Sequence, residues 1–198
     1  MAITIYNICE ILSRNPIIPA CRSDQQLQDA LASDDVNTIF ILESTIYDFK
    51  EKIEAIKSAG KYAFIHFDLI NGLSQDNRAL EYLVDTSHPQ GIITTRKNLI
   101  TTGKKLGLYT IQRMFLIDTT SITSAINMAK NTKPDAIEIL PGIAPKVIRA
   151  IKSKIDTPII TGGLITNAIE ITNALKAGAV GVSVSKKSLW SVAKSKEE

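Results

Sequence analysis

The chain has only two cysteines in 198 residues, Cys9 and Cys21. They show no CxxC spacing and have no accompanying histidine cluster, so neither a disulfide framework nor a zinc site is expected, and both thiols should be reduced and packed. No apolar run approaches the roughly 18 residues that a spanning helix needs. The first twenty residues lack the basic start and small-residue cleavage pattern of a signal peptide, and a cytoplasmic location away from membranes is the default expectation. Aromatic residues make up 6% of the chain and are not interleaved with lysine or arginine. Nothing resembles an RRM, a KH domain or a helix-turn-helix, so nucleic-acid binding is not suggested by the residues alone. Linkers, low-complexity tracts and charge blocks are also missing, which favours one domain spanning 1–198. The net charge of +3 and pI near 8.8 permit an anionic partner without requiring one.

What is present is an alternation. Short apolar runs recur at 16–21, 38–43, 62–68, 91–95, 109–114, 136–140, 158–162 and 179–185. Most are rich in β-branched or aromatic residues, as strands buried on both faces should be. Helical periodicity fills the intervals. Ser23 with Gln26 and Asn167 with Glu170 read as capping pairs, Pro145 suits a first helical position, and Gly60, Gly107 and Gly178 stand where helices should end. A last helix is expected from Lys186, carrying Leu189 and Val192. Eight βα units in about 200 residues predict an α/β fold, a compact TIM (β/α)8 barrel. Residues 1–15, with Ile5, Ile8, Ile11 and Leu12 at helical spacing, should form a short N-terminal helix capping the bottom of the barrel. An open doubly wound sheet is the alternative. It calls for a glycine-rich turn after the first strand, and "ACRSDQQ" has none.

Function in a barrel gathers where strands end. Those junctions carry Arg22, Glu43, His66 with Asp68, Thr95 with Arg96, Gln112 with Arg113, Glu138, Thr161 with Gly162 and Gly163, and Ser183 with Ser185. The strand starts are plain, so a polar pocket is expected at the top face. Loops after strands seven and eight commonly bind phosphate in this fold. Gly162 and Gly163 would let backbone N–H groups approach an anion, Ser183 and Ser185 would add hydroxyls, and the last helix would aim its positive end at it. The competing reading is a tight turn and nothing more. His66 and Asp68, two apart, should share one strand face, as an acid/base pair or as hydrogen-bonding groups for ligand hydroxyls; a histidine satisfied in the core is the alternative. Glu138 should point into the barrel and needs a partner, with Arg113, Arg96, Arg22 or a ligand available. His88 precedes a strand and reads as structural. The basic clusters Lys104–Lys105, Lys146–Lys154 and Lys194–Lys196 read, each alone, as solvated helix faces.

The runs "FIHFDLINGLSQD", "GIITTRKNLI", "YTIQRMFLID", "PDAIEILPGIAPKVI", "PIITGGLIT" and "ALKAGAVGVSVSKKSLW" together resemble the glycerol uptake operon antiterminator family, across nearly the whole chain. The TGGL and SVS elements are generic to phosphate-binding barrels. H-x-D-L-I-x-G-L-S, T-I-Q-R-x-F and E-I-L-P-G are more specific in combination. The resemblance implies a cytoplasmic regulator that binds glycerol-3-phosphate, acts on the leader mRNA of glycerol-catabolism genes and suppresses premature termination. On that footing Gly162, Gly163, Ser183 and Ser185 would hold the phosphate. His66, Asp68 and Glu138 would be candidates for the glycerol hydroxyls, with Arg113 and Arg96 nearby and Arg22 and Glu43 also lining the pocket. No cofactor, metal or catalytic residue is expected, and the loop 68–76 would order around the ligand. The alternative is a phosphosugar or glycerol-phosphate enzyme, an isomerase, aldolase or transferase. Against it, no strand-end lysine offers a Schiff base, because Lys97 falls one step into its loop.

Overall fold

The computed structural model describes residues 7–192. Eight parallel strands close into a barrel in chain order, with the last pairing the first. They are β1 (Ile17–Cys21), β2 (Thr38–Ile41), β3 (Tyr62–His66), β4 (Gly91–Thr94), β5 (Tyr109–Phe115), β6 (Ala136–Leu140), β7 (Ile159–Gly162) and β8 (Gly181–Val184). The helices are α1 (Ile8–Ser13), α2 (Asp24–Leu31), α3 (Phe49–Ser58), α4 (Asn77–Ser87), α5 (Lys97–Lys105), α6 (Thr119–Thr132), α7 (Pro145–Lys152) and α8 (Ala168–Lys176). Among the described residues no helix is long and apolar enough to cross a membrane. The barrel prediction therefore holds, and the open sheet is excluded by the β1–β8 pairing.

Alternation along each strand splits the apolar side chains into two sets. Ile17, Ile39, Ile65, Ile92, Ile137 and Ile159 face the helices, while Ile18, Phe40, Phe64, Ile93, Ile111 and Ile160 fill the barrel. The Phe40 and Phe64 rings meet at 5.7 Å and 58°, a tilted geometry that favours aromatic pairs. Gly91 makes room for this layer, since a Cβ there would fall 2.5 Å from the Phe64 ring. Helix α1 opens with a capping box between Asn7 and Glu10, and its Ile8 and Leu12 join the interior set at the bottom of the barrel. Ile5 lies outside the described residues.

The chain departs from expectation at two places. The helix expected from Lys186 is a three-residue 3-10 turn, Lys187–Leu189. Trp190 is buried behind it, and its indole N–H donates to the Val184 carbonyl at 3.2 Å, pinning the chain as it leaves β8. So short a turn has no helix dipole to aim at an anion. Strand β3 also ends at His66, and Phe67–Leu69 turn as a 3-10 helix. Ile70–Asn71 then pair with Ser44–Thr45 as a small parallel sheet above β2 and β3. His88 adopts a left-handed conformation (φ 46°) that ends α4, as a structural residue there would. Cys21 lies on the helix-facing side of β1, where burial pushes its thiol up to about 12.

Candidate functional site

The C-terminal mouth of the barrel is built on one buried ion pair. Strands β5 and β6 pair in a register that sets Arg113 beside Glu138, and both side chains point inward. Arg113 Nε donates to Glu138 Oε2 at 2.7 Å, with the two side chains 5% and 0% exposed. Ser183, from the end of β8, donates its hydroxyl to Glu138 Oε1, also at 2.7 Å. Both carboxylate oxygens are therefore engaged. This geometry decides among the partners expected for Glu138. Arg22 pairs instead with Glu43 at 2.7 Å on the exposed rim, and Arg96 reaches the Gln75 side chain.

Gly162 follows from the same contact. A Cβ there would fall 2.0 Å from Ser183 Oγ and 3.3 Å from Glu138 Oε1. Its missing side chain leaves space for the serine–glutamate hydrogen bond, a different reason for glycine than approach to an anion. Gly163, by contrast, has φ +74°, a left-handed conformation that disfavours any side chain. Leu164 follows at φ 61° and is largely exposed. The β7–α8 loop thus turns sharply over the mouth. Lys186, after β8, donates from Nζ to the Thr166 carbonyl at 3.3 Å and brings the two loops together. Ser185 is exposed, and its carbonyl accepts from Gln26.

His66 lies against the floor. It is 4% exposed, and its Nδ1 has no hydrogen-bond partner. Burial lowers its pKa to about 4, and the Arg113 charge pushes the same way while Asp68 opposes. The ring is therefore neutral at pH 7, and its Nδ1 is enclosed without a partner beneath the mouth. Asp68 does not share a strand face with it, because the chain has already entered the 3-10 turn. Its carboxylate accepts from Thr94 Oγ1 at 2.5 Å, from Thr95 N at 2.7 Å and from Thr95 Oγ1 at 2.7 Å. Its carbonyl accepts from Gln75 Nε2 at 2.6 Å. The 68–76 segment is thereby tied to the end of β4.

One feature was missed from the sequence. A cavity of about 500 Å³ opens beside Arg113, between the end of β5 and the start of α6, lined by Met114, Phe115, Ile117, Ser121 and Met128 among others. Phe115 is 57% and Ile117 is 90% exposed. The signal was the apolar run "MFLID" continuing past a strand end. Arg113 stands between this cavity and the floor that leads to the β7 and β8 loops.

Comparison with known proteins agrees with this architecture. Residues 17–190 match the family described as glycerol-3-phosphate responsive antiterminator. The uncharacterised protein YgcP of Escherichia coli (strain K12) is 34% identical over 187 residues, covering 94% of this chain and 97% of that one. A glycerol uptake operon antiterminator regulatory protein from Listeria monocytogenes is 33% identical, with a TM-score of 0.85 over 89% of this chain and 95% of that one. An antiterminator-related protein from Thermotoga maritima is 28% identical, with a TM-score of 0.78 over 88% and 96%. Orotidine 5'-phosphate decarboxylase from Pyrococcus horikoshii, at 16% identity and a TM-score of 0.68, shares the fold alone.

Two outcomes follow from the buried groups. Glu138→Gln leaves the Arg113 charge uncompensated and should cost about 3 kcal/mol of unfolding free energy in urea titration; an unchanged midpoint would mean the pair is not structural. The folded pKa of His66, about 4, lies below its ordinary 6.5. Its contribution to stability is thus complete above the ordinary value and lost as pH falls toward the folded one, with a ceiling of about 3 kcal/mol. Wild type should lose up to that much more stability than His66→Gln across this window, and parallel pH profiles would contradict the assignment.

Proposed function

The chain belongs to the glycerol-3-phosphate responsive antiterminator family, and from that membership we propose that it is a cytoplasmic sensor. On this reading it binds glycerol-3-phosphate at the barrel mouth and, when loaded, acts on the leader mRNA of glycerol-catabolism genes so that transcription passes the terminator. The observation that carries the reading is the unsatisfied His66 Nδ1 in a site whose other buried polar groups are paired. A buried donor or acceptor without a partner is unfavourable until something fills it. A glycerol hydroxyl can both donate and accept, so it suits this nitrogen in either tautomer.

The phosphate end belongs with the loops after β7 and β8. Gly163 lets the backbone approach, and Ser185 and Lys186 are exposed beside it. Gly162 and Ser183 serve this site from beneath, by shaping its floor. Arg113 supplies a fixed positive charge at the centre, and Asp68, locked by Thr94 and Thr95, holds the loop that borders the glycerol end. Arg22, Glu43 and Arg96 belong to the outer rim. A sensor needs no proton transfer, and the acids here are committed. Asp68 and Glu138 each accept hydrogen bonds at both carboxylate oxygens, which disfavours the enzyme reading.

Transcription in vitro through a glycerol-operon leader should give more full-length RNA when this protein and glycerol-3-phosphate are both present. Lys186→Ala should shift the required ligand concentration upward by about tenfold, as expected for losing one charge-assisted contact, with no change in thermal midpoint. Readthrough that ignores glycerol-3-phosphate would overturn the sensor reading, and consumption of the ligand would replace it with an enzyme.

A further inference from the structure

Charge is divided unevenly around the barrel wall. Residues 7–95, which form β1 to β4 and α1 to α4, carry 7 Lys and Arg against 13 Asp and Glu. Residues 96–192, which form β5 to β8 and α5 to α8, carry 14 against 5. The strands run round the barrel in chain order, so these two stretches are opposite sides of one wall. A modest net charge of +3 hides a strongly polarised molecule.

On the acidic side the cations are largely answered. Arg22, Lys50, Lys52 and Arg78 each sit within salt-bridge distance of a carboxylate. On the basic side the helix-borne lysines are not. None of Lys104, Lys105, Lys130, Lys133, Lys152 and Lys154 forms an ion pair with a described residue, and all are exposed. The carboxylates of this half are placed elsewhere. Glu138 is inside the barrel, Asp135 is held by Thr110, and Asp118 and Glu170 cap helix starts at the top. Within this half, Asp156 is the one exposed carboxylate at the lower edge among the described residues.

The lysines form a continuous track. Basic residues occupy the last turns of α5, α6, α7 and α8, and these helix ends all lie at the bottom of the barrel. Helix-dipole compensation alone would place them on every helix, yet α1, α2 and α4 have none, and the Lys57 of α3 is taken up by the Ser87 carbonyl. Lys104 Nζ donates to the Lys133 carbonyl and joins α5 to α6. Lys130, Lys133 and Lys154, with Asp156 as the single carboxylate, line a hollow of about 300 Å³ between α6 and α7. The Lys152 side chain runs against Gly178, where a Cβ would meet its Cγ at 3.3 Å, and so reaches the end of α8. A row of unpaired ammonium groups, three of them around a shallow hollow, suits regularly spaced phosphates. Lysine acts there as a point charge that releases counterions from a nucleic acid.

We propose that this lower rim of α5 to α8 is where RNA docks, by its phosphate backbone, on the face opposite the ligand mouth. The proposal rests on the leader-mRNA reading above and names its contact surface. Taken singly, these clusters are solvated helix faces; the half-wall imbalance and their continuity make them a surface.

The test uses fluorescence anisotropy of a labelled terminator-type RNA hairpin across a salt series, with the full chain and with two triple variants. Lys105→Glu/Lys130→Glu/Lys154→Glu alters the rim. Arg14→Glu/Lys50→Glu/Arg78→Glu makes the same change of net charge on the acidic side. The rim variant should bind at least about tenfold more weakly and lower the salt slope by about 2, while the control variant binds nearly as wild type. Calorimetric binding of glycerol-3-phosphate should be unchanged in both, which shows that the fold is intact. Equal losses in the two variants would reduce the effect to net charge and overturn the proposal. Unaltered binding by the rim variant would overturn it while leaving the mRNA reading in place. A wild-type chain that binds glycerol-3-phosphate but no RNA would remove the mRNA reading and the surface together. Self-association in sedimentation that the rim variant abolishes would assign the rim to the acidic half of a second copy instead.

Discussion

The Arg113–Glu138 pair is the constraint around which the barrel mouth is arranged. Two ions removed from water are stable together only if geometry and further hydrogen bonds offset their desolvation. The in-register pairing of β5 and β6 supplies the geometry, and Ser183 supplies the second hydrogen bond. That bond in turn demands a glycine at position 162. Four strands are thereby committed to one polar floor, and the left-handed turn at Gly163 begins where this commitment ends. His66, buried and within the field of the same cation, stays neutral and keeps one nitrogen unsatisfied. The free site is thus rigid in its floor and incomplete at one atom, and binding can favour a state only through contacts which that state alone provides.

Much of the scaffold could be read from residue patterns. Parallel strands buried on both faces appear as short unbroken apolar runs, and each of the eight runs matches a strand of the barrel to within two residues at either end. The capping pairs at Ser23 and Asn167 and the proline at 145 marked true helix starts. Alternation also aimed Glu138 inward. The partner could not be read, because three arginines stood at strand ends and only the register of β5 against β6 selects Arg113. Gly162 was ambiguous for a similar reason: a glycine spared for a backbone and one spared for a neighbour's hydroxyl look identical in sequence. The two-residue spacing of His66 and Asp68 suggested one strand face. The local 3-10 turn breaks that period, and Thr94 and Thr95 take the carboxylate. The apolar pattern at Leu189 and Val192 suggested a helix, but packing of Trp190 tightens the chain into a short turn instead.

The two ends of the barrel have different chemistry. The top gathers groups from many strands around a small volume, as recognition of a compact ligand requires. The bottom rim repeats one kind of charge along consecutive helices, which suits a polymer and carries little sequence discrimination by itself. Family membership supplies the link between the two. It joins a glycerol-3-phosphate response to antitermination, and the two proposed surfaces lie at opposite ends of the barrel.

What fills the mouth decides what this protein responds to. Titrating glycerol-3-phosphate into the purified protein by calorimetry, with glycerol and inorganic phosphate in parallel, addresses it directly. Saturable binding of glycerol-3-phosphate, with far weaker heats for either half alone, is the result that the proposed site predicts. Equal binding of inorganic phosphate, or no binding of glycerol-3-phosphate at all, would contradict it.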